Sequence, residues 1–194
     1  TFQSACVAAR EFAGRICVVD SLSVSAGEAI LVYLAAELVR QEKGLSGREL
    51  ADRLEEARGK IRLMALLDTL EYLKKGGRIS AAAAFAGGLL SLKPVVSITD
   101  GAVEVIGKAR GSRCGSNLLR ELVEHSGGID FTRPLSLAYS GLDDRLLQKY
   151  IEDSQSLWKG RINQLPVAEI GATIGTYAGP GAIVIAFFPA AAET

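Results

Sequence analysis

Histidine is nearly missing from this chain: His125 is the single one among 194 residues. A Ser-His-Asp triad or a histidine-based metal site would have to use it. Its place near the end of an amphipathic helix reads instead as a lone surface histidine. Cysteine is scarce too. Cys6, Cys17 and Cys114 are odd in number and widely spaced, which argues against a disulfide framework and a zinc motif. They read as reduced core or boundary residues of a cytosolic protein. Net charge is absent, since 22 Lys and Arg balance 22 Asp and Glu. No overall field then draws the chain to nucleic acid or to an anionic membrane, and only a local basic patch stays open. Long hydrophobic runs are lacking as well. The longest apolar stretch, Ile79–Leu92, is rich in Ala and Gly. It falls short of the ~20 residues of a spanning helix and has neither the basic start nor the cleavage site of a secretory signal.

What is present is the composition of a globular protein, with 48% apolar against 23% charged residues, so disorder is not expected. Thr1–Arg10 runs into an apolar, alanine-rich helix with no cap upstream, and reads as the middle of a structure. The expectation is a fragment lacking an N-terminal portion.

Helix and strand signals alternate. Phe2–Gly14 reads as a helix closed by Gly14, and Ile16–Val19 as a short, buried, β-branched strand. Ser25 with Glu28 forms a capping-box pattern opening a helix striped with Ile30, Leu31, Leu34 and Leu38 and ended by Gly44; Ser46 with Glu49 repeats it before Leu50, Leu54 and Ala57. Leu63–Leu67 reads as a strand. Asp68 or Thr69 caps a short helix over Leu70–Lys75, stopped by Gly76-Gly77. Ala81–Leu92 is expected to be a helix, apolar nearly all round, broken by Pro94. Val95–Ile98 and Val103–Ile106 flank Thr99-Asp100-Gly101, a hairpin signal. There follow a helix over Arg113–Glu124, a strand Leu135–Tyr139, a helix from Asp143 through Trp158, a strand Arg161–Ile170, a glycine-rich loop Gly171–Gly181 and a buried strand Ile183–Phe188. The pattern up to Gly59 is that of a parallel α/β sheet, whereas the later hairpin requires antiparallel pairing. This places a boundary near Gly59-Lys60.

Four segments carry possible chemistry. In Leu70–Ser80, two glycines permit a tight turn and close backbone approach, with Lys74, Lys75 and Arg78 around them and Ser80 opening a helix that could face an anion. This is an anion or docking site, or equally a helix C-cap with solvated lysines. In Gly171–Gly181, Thr173, Thr176 and Tyr177 offer hydroxyls to a carboxylate. The segment lacks a Gly-Lys-Ser/Thr ending and precedes a strand, so it is neither a Walker loop nor a dinucleotide fingerprint; a plain loop is the alternative. Lys108–Arg113 is a basic cluster opening a helix, a solvated face or a phosphate or acidic-partner site. Asp20–Ser25 follows a strand, where ligands of open α/β sheets sit, or only satisfies turn and cap hydrogen bonds. Asp143-Asp144 and Glu55-Glu56 are neighbours on helices, face apart and make no acid–base pair.

Taken together these residues resemble the DegV family, which includes the FakB proteins. Thr1-Phe2-Gln3-Ser4-Ala5 is similar to the end of its Ser-Gly-Thr-Tyr/Phe-Gln-Ser-Ala segment. Val18-Val19-Asp20-Ser21 with Ser25-Ala26-Gly27 resembles the next strand and turn. Leu70–Ser80 resembles its Leu-x-x-Leu-x-x-Gly-Gly-Arg-Ile signature, Lys93-Pro94 through Lys108-Ala109-Arg110 its antiparallel ribbon, and Ile174-Gly175-Thr176 with Gly179-Pro180-Gly181 its Gly-Thr-His-x-Gly-Pro-Gly loop. The pieces occur in the family's order across nearly the whole chain.

The resemblance implies an α/β, two-domain fold: residues 1–60 as the remnant of an N-terminal parallel α/β domain, and residues 61–194 as a C-terminal α+β domain with a mixed or antiparallel sheet. It implies a long-chain fatty acid such as palmitate, stearate or oleate in an apolar tunnel, its carboxylate at the interdomain cleft. The protein would be a cytoplasmic carrier rather than an enzyme, without cofactor or metal. It would present the fatty acid to a fatty acid kinase subunit (FakA-like) for acyl-phosphate formation, with no nucleic acid and no integral membrane contact. Carried over residue by residue, the ligand-binding candidates are Ser21, Arg78, Phe85, Thr176, Tyr177, Gly179 and Gly181, and the docking candidates are Lys74, Lys75, Arg78 and Arg110. The family's loop histidine falls at Tyr177. Its carboxylate-binding serine precedes Thr1 and is absent from this chain. Small side chains along Ala81–Leu92 leave room for a lipid tail, although a buried core helix has the same composition. At ~0.8 kcal/mol per CH₂, burying a palmitoyl tail supplies roughly 10 kcal/mol before ordering costs. The alternatives are a regulatory or interaction module with a basic patch, and an enzyme acting on small phosphorylated molecules through Arg78 and Arg110.

Overall fold

The computed structural model describes residues 1–12, 14–80 and 92–190. The expected helix over Ala81–Leu92, and Phe85 within it, lies outside them except for Leu92.

The first part of the chain is helical. α1 (Phe2–Ala9) runs into a 3₁₀ turn, Arg10–Phe12, and buries no residue. The strand expected at Ile16–Val19 does not form, and Ile16 is exposed. β-branched residues favour extended backbone, but a strand also needs a neighbour to hydrogen-bond, and none of the described strands pairs with this segment. The described part of residues 1–59 therefore holds helices where a parallel α/β pattern was expected. Cys17 and Cys114 are exposed and not core residues, while Cys6 is half-buried.

α2 (Ala26–Gln41) buries Ala26, Gly27, Ile30 and Leu31, and its later turns rise out of the core. α3 (Gly47–Arg58) buries Ala51, Leu54 and Ala57 at helical spacing. The two capping-box patterns separate here. At Ser46 the box forms: Glu49 N–H donates to Ser46 Oγ at 3.2 Å, and Ser46 N–H to Glu49 Oε2 at 3.0 Å. At Ser25 it does not. That backbone stands at φ 53° and ψ −128°, far from the extended conformation that aims a cap hydroxyl at the helix N–H groups, and no cap bond is made.

Six strands make one mixed sheet: β1 (Arg62–Leu66), β2 (Leu92–Thr99), β3 (Ala102–Arg110), β4 (Ser136–Tyr139), β5 (Val167–Glu169) and β6 (Ile183–Phe187), in the order β3-β2-β1-β6-β4-β5. All neighbours are antiparallel except β4–β5. The hairpin expected at Asp100-Gly101 is present, with φ 49° and 77° at its two turn residues, the left-handed pair of a tight two-residue turn. A bulge at Val95/Val96 follows Pro94, which cannot donate to the ladder.

Because side chains alternate along a strand, β1 feeds two cores. Leu63 and Ala65 join α2 and α3 on one face. Met64 and Leu66 join, on the other face, α5 (Ser112–His125, with Leu119 and Val123), α6 (Arg145–Asp153, with Leu147 and Tyr150) and α7 (Gln155–Trp158). The sheet is thus a middle layer between helices, which is why β1 and β6 read as unbroken apolar runs. Helix 143–158 is split by buried Ser154, and the break folds Trp158 back edge-to-face on Tyr150 at 5.7 Å, its Nε1 donating to Ile151 O at 3.1 Å. The expected strand 161–170 shortens to Val167–Glu169, since it can pair only as far as four-residue β4 extends.

Candidate functional site

The strand directions place several candidates at one rim. Leu66 of β1 and Tyr139 of β4 both pair with Ile183, the first residue of β6. The carboxyl ends of β1 and β4 therefore flank the segment that enters β6. Arg110 ends β3, paired with Leu92, and β3 runs parallel to β1, so Arg110 projects at the same rim, about 10 Å to the side and three residues beyond the level of Leu66.

Four residues after β1, the chain forms α4 (Glu71–Lys75), with Thr69 Oγ1 accepting from Glu71 N–H at 3.2 Å. It ends in a Schellman pattern: Arg78 N–H donates to Leu73 O at 2.9 Å and Gly77 N–H to Lys74 O at 3.0 Å, with Gly77 at φ 68°. Gly76 caps the helix, and Gly77 is the left-handed residue just after the cap. Gly76 answers to a different demand: a Cβ there would lie 2.3 Å from Cδ1 of Tyr177.

Tyr177 comes from a helix that sequence reasoning missed. Gly171–Gly181 is not simply a loop, because Ala172–Ala178 forms a short helix, α8, packed against α4. Gly175 is tolerated inside it, and Ile174 and Ala178 anchor it in the first core. Gly179 caps it at φ 75°, and a Cβ there would lie 2.3 Å from Cδ2 of Tyr72. The contact is reciprocal: the tyrosine of each helix lies on the glycine that ends the other.

Arg78 lies across this junction. Its guanidinium carbon is 4.3 Å from the Tyr177 ring centroid, and Nη1 donates to Gly76 O at 2.8 Å. The cation–π contact holds the guanidinium over the ring, and the bond to Gly76 O uses one of its five N–H donors. Beneath, buried Ser140 pins the loop into β6. Its Oγ donates to Gly179 O and accepts from Ala182 N–H at 3.1 Å, while Gly181 N–H donates to Ser140 O at 2.7 Å. Sequence reasoning missed Ser140. Its one legible signal is its place just beyond the carboxyl end of a strand.

The remaining candidates divide. Gly181 (φ 78°) belongs to the pinned loop. Thr176 sits on α8, but its Oγ1 donates to Ala172 O at 2.8 Å, so its hydroxyl proton is engaged within the helix. Lys75 pairs with Glu71 at 3.6 Å, and Lys74 shares α4. Arg110 is exposed and has no ion pair among the described residues. Ser21 is elsewhere. Its turn lies against the tip of the β2–β3 hairpin, with Leu22 Cδ2 3.6 Å from a Cβ built on Gly101, at the opposite end of the sheet. Ser21 Oγ donates to Ser23 O at 3.2 Å, and Leu22 N–H donates to Asp20 Oδ1 at 3.1 Å. With no strand before it, the strand-end argument for this segment loses its premise. Among the described residues no helix is long and apolar enough to cross a membrane.

A model of the DegV family, described as one of uncharacterised proteins, matches residues 1–190. A DegV domain-containing protein of Deinococcus radiodurans is 36% identical, the match covering 99% of this chain and 66% of that protein. The chain thus spans just under two thirds of that relative's length. The solved structure of a fatty-acid-binding DegV family protein from Thermus thermophilus is similar at 32% identity and TM-score 0.81, over 97% of this chain and 66% of that one. The Streptococcus pneumoniae Fatty Acid Kinase (Fak) B3 protein, solved with linoleic acid, shares the fold at 22% identity and TM-score 0.82, over 97% of this chain and 67% of that one.

Proposed function

The chain belongs to the DegV family, and from that premise we propose that it binds a long-chain fatty acid, with the carboxylate held where Arg78, Tyr177 and the Gly179–Gly181 loop converge. The observation that carries the proposal is the reciprocal seating of Tyr177 on Gly76 and Tyr72 on Gly179 under the Arg78 guanidinium. It joins two segments a hundred residues apart into one fixed junction with cationic and hydroxyl donors at its surface. A carboxylate takes a charge-assisted bond from Arg78 and a neutral one from the Tyr177 hydroxyl. Fatty acid binding by the Thermus relative supports the ligand class. Phe85 is kept as a tail-lining candidate on sequence grounds, and Ser21 and Thr176 are secondary, because the hydroxyl of each already donates within its own turn or helix.

On this reading the protein is a carrier that does not transform its ligand and works in the cytoplasm. Lys74, Lys75, Arg78 and Arg110 would form the basic rim that meets a kinase subunit, a partner class supported by the Fak B3 likeness alone. Titration with oleate tests the head-group assignment. Arg78→Ala is expected to weaken binding about ten-fold and Tyr177→Phe several-fold, for one charge-assisted and one neutral hydrogen bond. Unchanged affinity in both variants would place the carboxylate elsewhere. Arg110→Glu is expected to abolish kinase-dependent acyl-phosphate formation while the oleate affinity stays.

A further inference from the structure

The opposite rim carries a cavity remote from the Arg78–Tyr177 junction. It measures about 560 Å³ and opens between the Leu22–Ser23 turn, the tip of the β2–β3 hairpin, the start of β1 and the end of α5. This size is within the range of small-molecule sites. Leu22, Met64, Ile106 and Leu122 give it an apolar floor. Its titratable lining residues are Arg58, Arg62, His125 and Asp100, so cations outnumber the one carboxylate.

Neither arginine has an acidic partner among the described residues. Arg58 makes one bond, from Nη1 to Asp20 O at 2.6 Å, which also holds the Leu22 wall of the cavity. Arg62 makes one long contact, from Nη1 to its neighbour's carbonyl, Ile61 O, at 3.4 Å. A guanidinium has five N–H donors, so most of those on both residues are unspent. Arg53, one helical turn and a residue before Arg58, pairs with Glu42 instead. The last carbonyls of α5 do not offer a competing anionic end: Ser126 N–H donates to Leu122 O, Gly128 N–H to Val123 O, and His125 Nδ1 lies 2.7 Å from Glu121 O. The Nε2 edge of His125 is left as a further polar group at the mouth.

We propose that this cavity is a separate site for a small amphipathic anion, a carboxylate or phosphate monoester on a short apolar body. Arg58 and Arg62 grip the charged end, and the Met64–Leu122 floor takes the apolar part. The site is independent of the Arg78–Tyr177 junction, since the two lie at opposite ends of β1.

Two-dimensional NMR of the 194-residue chain, titrated with octanoate, octyl phosphate, octanol and inorganic phosphate, tests it. Both octyl anions are expected to move the amides of Leu22, Ile98, Asp100 and Leu122. Arg62→Gln should weaken that binding at least five-fold, and Arg58→Gln with Arg62→Gln at least twenty-fold. Arg78→Ala should leave those shifts unchanged. Arg62 is exposed at a strand start, so the single variant keeps the test open if the double variant does not fold. Equal binding of octanol would overturn the guanidinium assignment. Inorganic phosphate binding as tightly as octyl phosphate would remove the apolar floor from the account. Shifts confined to the amides around Tyr177 would assign the anion to the other rim and end the proposal.

Discussion

The two ends of the sheet solve the same problem, turning the chain at the end of a strand, in different ways. At the β1–β4 carboxyl end the turns are closed by contact. Gly76 and Gly179 are crowded by tyrosine rings, and Ser140 is bonded to the loop on both sides of Pro180. At the other end the turns are open and strained. Leu22 holds φ 49° and Ser25 φ 53° with a side chain present, while a cavity rather than a packed ring separates the segments. The closed end fixes the positions of donors to within the play of a packed core. The open end stores backbone strain beside a space a ligand can fill.

Substitutions should separate the two. The largest effect is expected for Gly179→Ala, which puts a side chain at φ 75° and ψ 172°, a backbone region that glycine alone holds freely, and a Cβ 2.3 Å from the edge of the Tyr72 ring. It should cost about 3 kcal/mol in urea unfolding. Gly101→Ala, at φ 77° but in ordinary contact with Leu22, should cost only about 1 kcal/mol; an equal cost at both positions would mean that the ring contact contributes nothing. Next comes Ser140→Ala, which strands the buried Ala182 N–H and should cost about 2 kcal/mol, read by the same unfolding curves. Smaller effects of opposite sign are expected at the two capping-box sequences. Ser46→Ala should lose about 1 kcal/mol with its cap bonds, whereas Ser25→Gly should gain about 0.5 kcal/mol by relieving a positive φ.

The smallest effect is on pH dependence. Hydrogen bonds from Ser46 hold the Glu49 carboxyl below its ordinary 4.5, and Arg53 does the same for Glu42. A lowered folded-state value means stability that is present above 4.5 and fades as pH falls through the lowered value. Glu49→Gln should therefore lower Tm slightly at neutral pH, leave it nearly unchanged below the lowered value, and so flatten the acid limb of a Tm-against-pH curve.

These particulars show what was readable in the chain. β1, the Asp100-Gly101 hairpin, α5 and β6 were legible, because local periodicity and turn chemistry decide them and each finds its neighbour within the sheet. Ile16–Val19 was not, since a strand is a property of two segments. The glycines of 171–181 read as a loop because composition cannot say what each one is for. Gly175 is carried within a helix, and Gly179 ends it against Tyr72, a residue of a distant segment. Leu70–Ser80 and Gly171–Gly181 are legible separately as site segments. Their meeting, and the part played by Ser140, depend on contacts about forty or more residues apart, which no local pattern encodes.

Solvent extraction of the purified, unsupplemented chain followed by mass spectrometry tests the central claim most directly. The account predicts near-stoichiometric free fatty acid of palmitate, stearate or oleate length, lost from the Arg78→Ala, Tyr177→Phe double variant while its fold is retained. An extract from the unaltered chain that contains no acyl chain would contradict it.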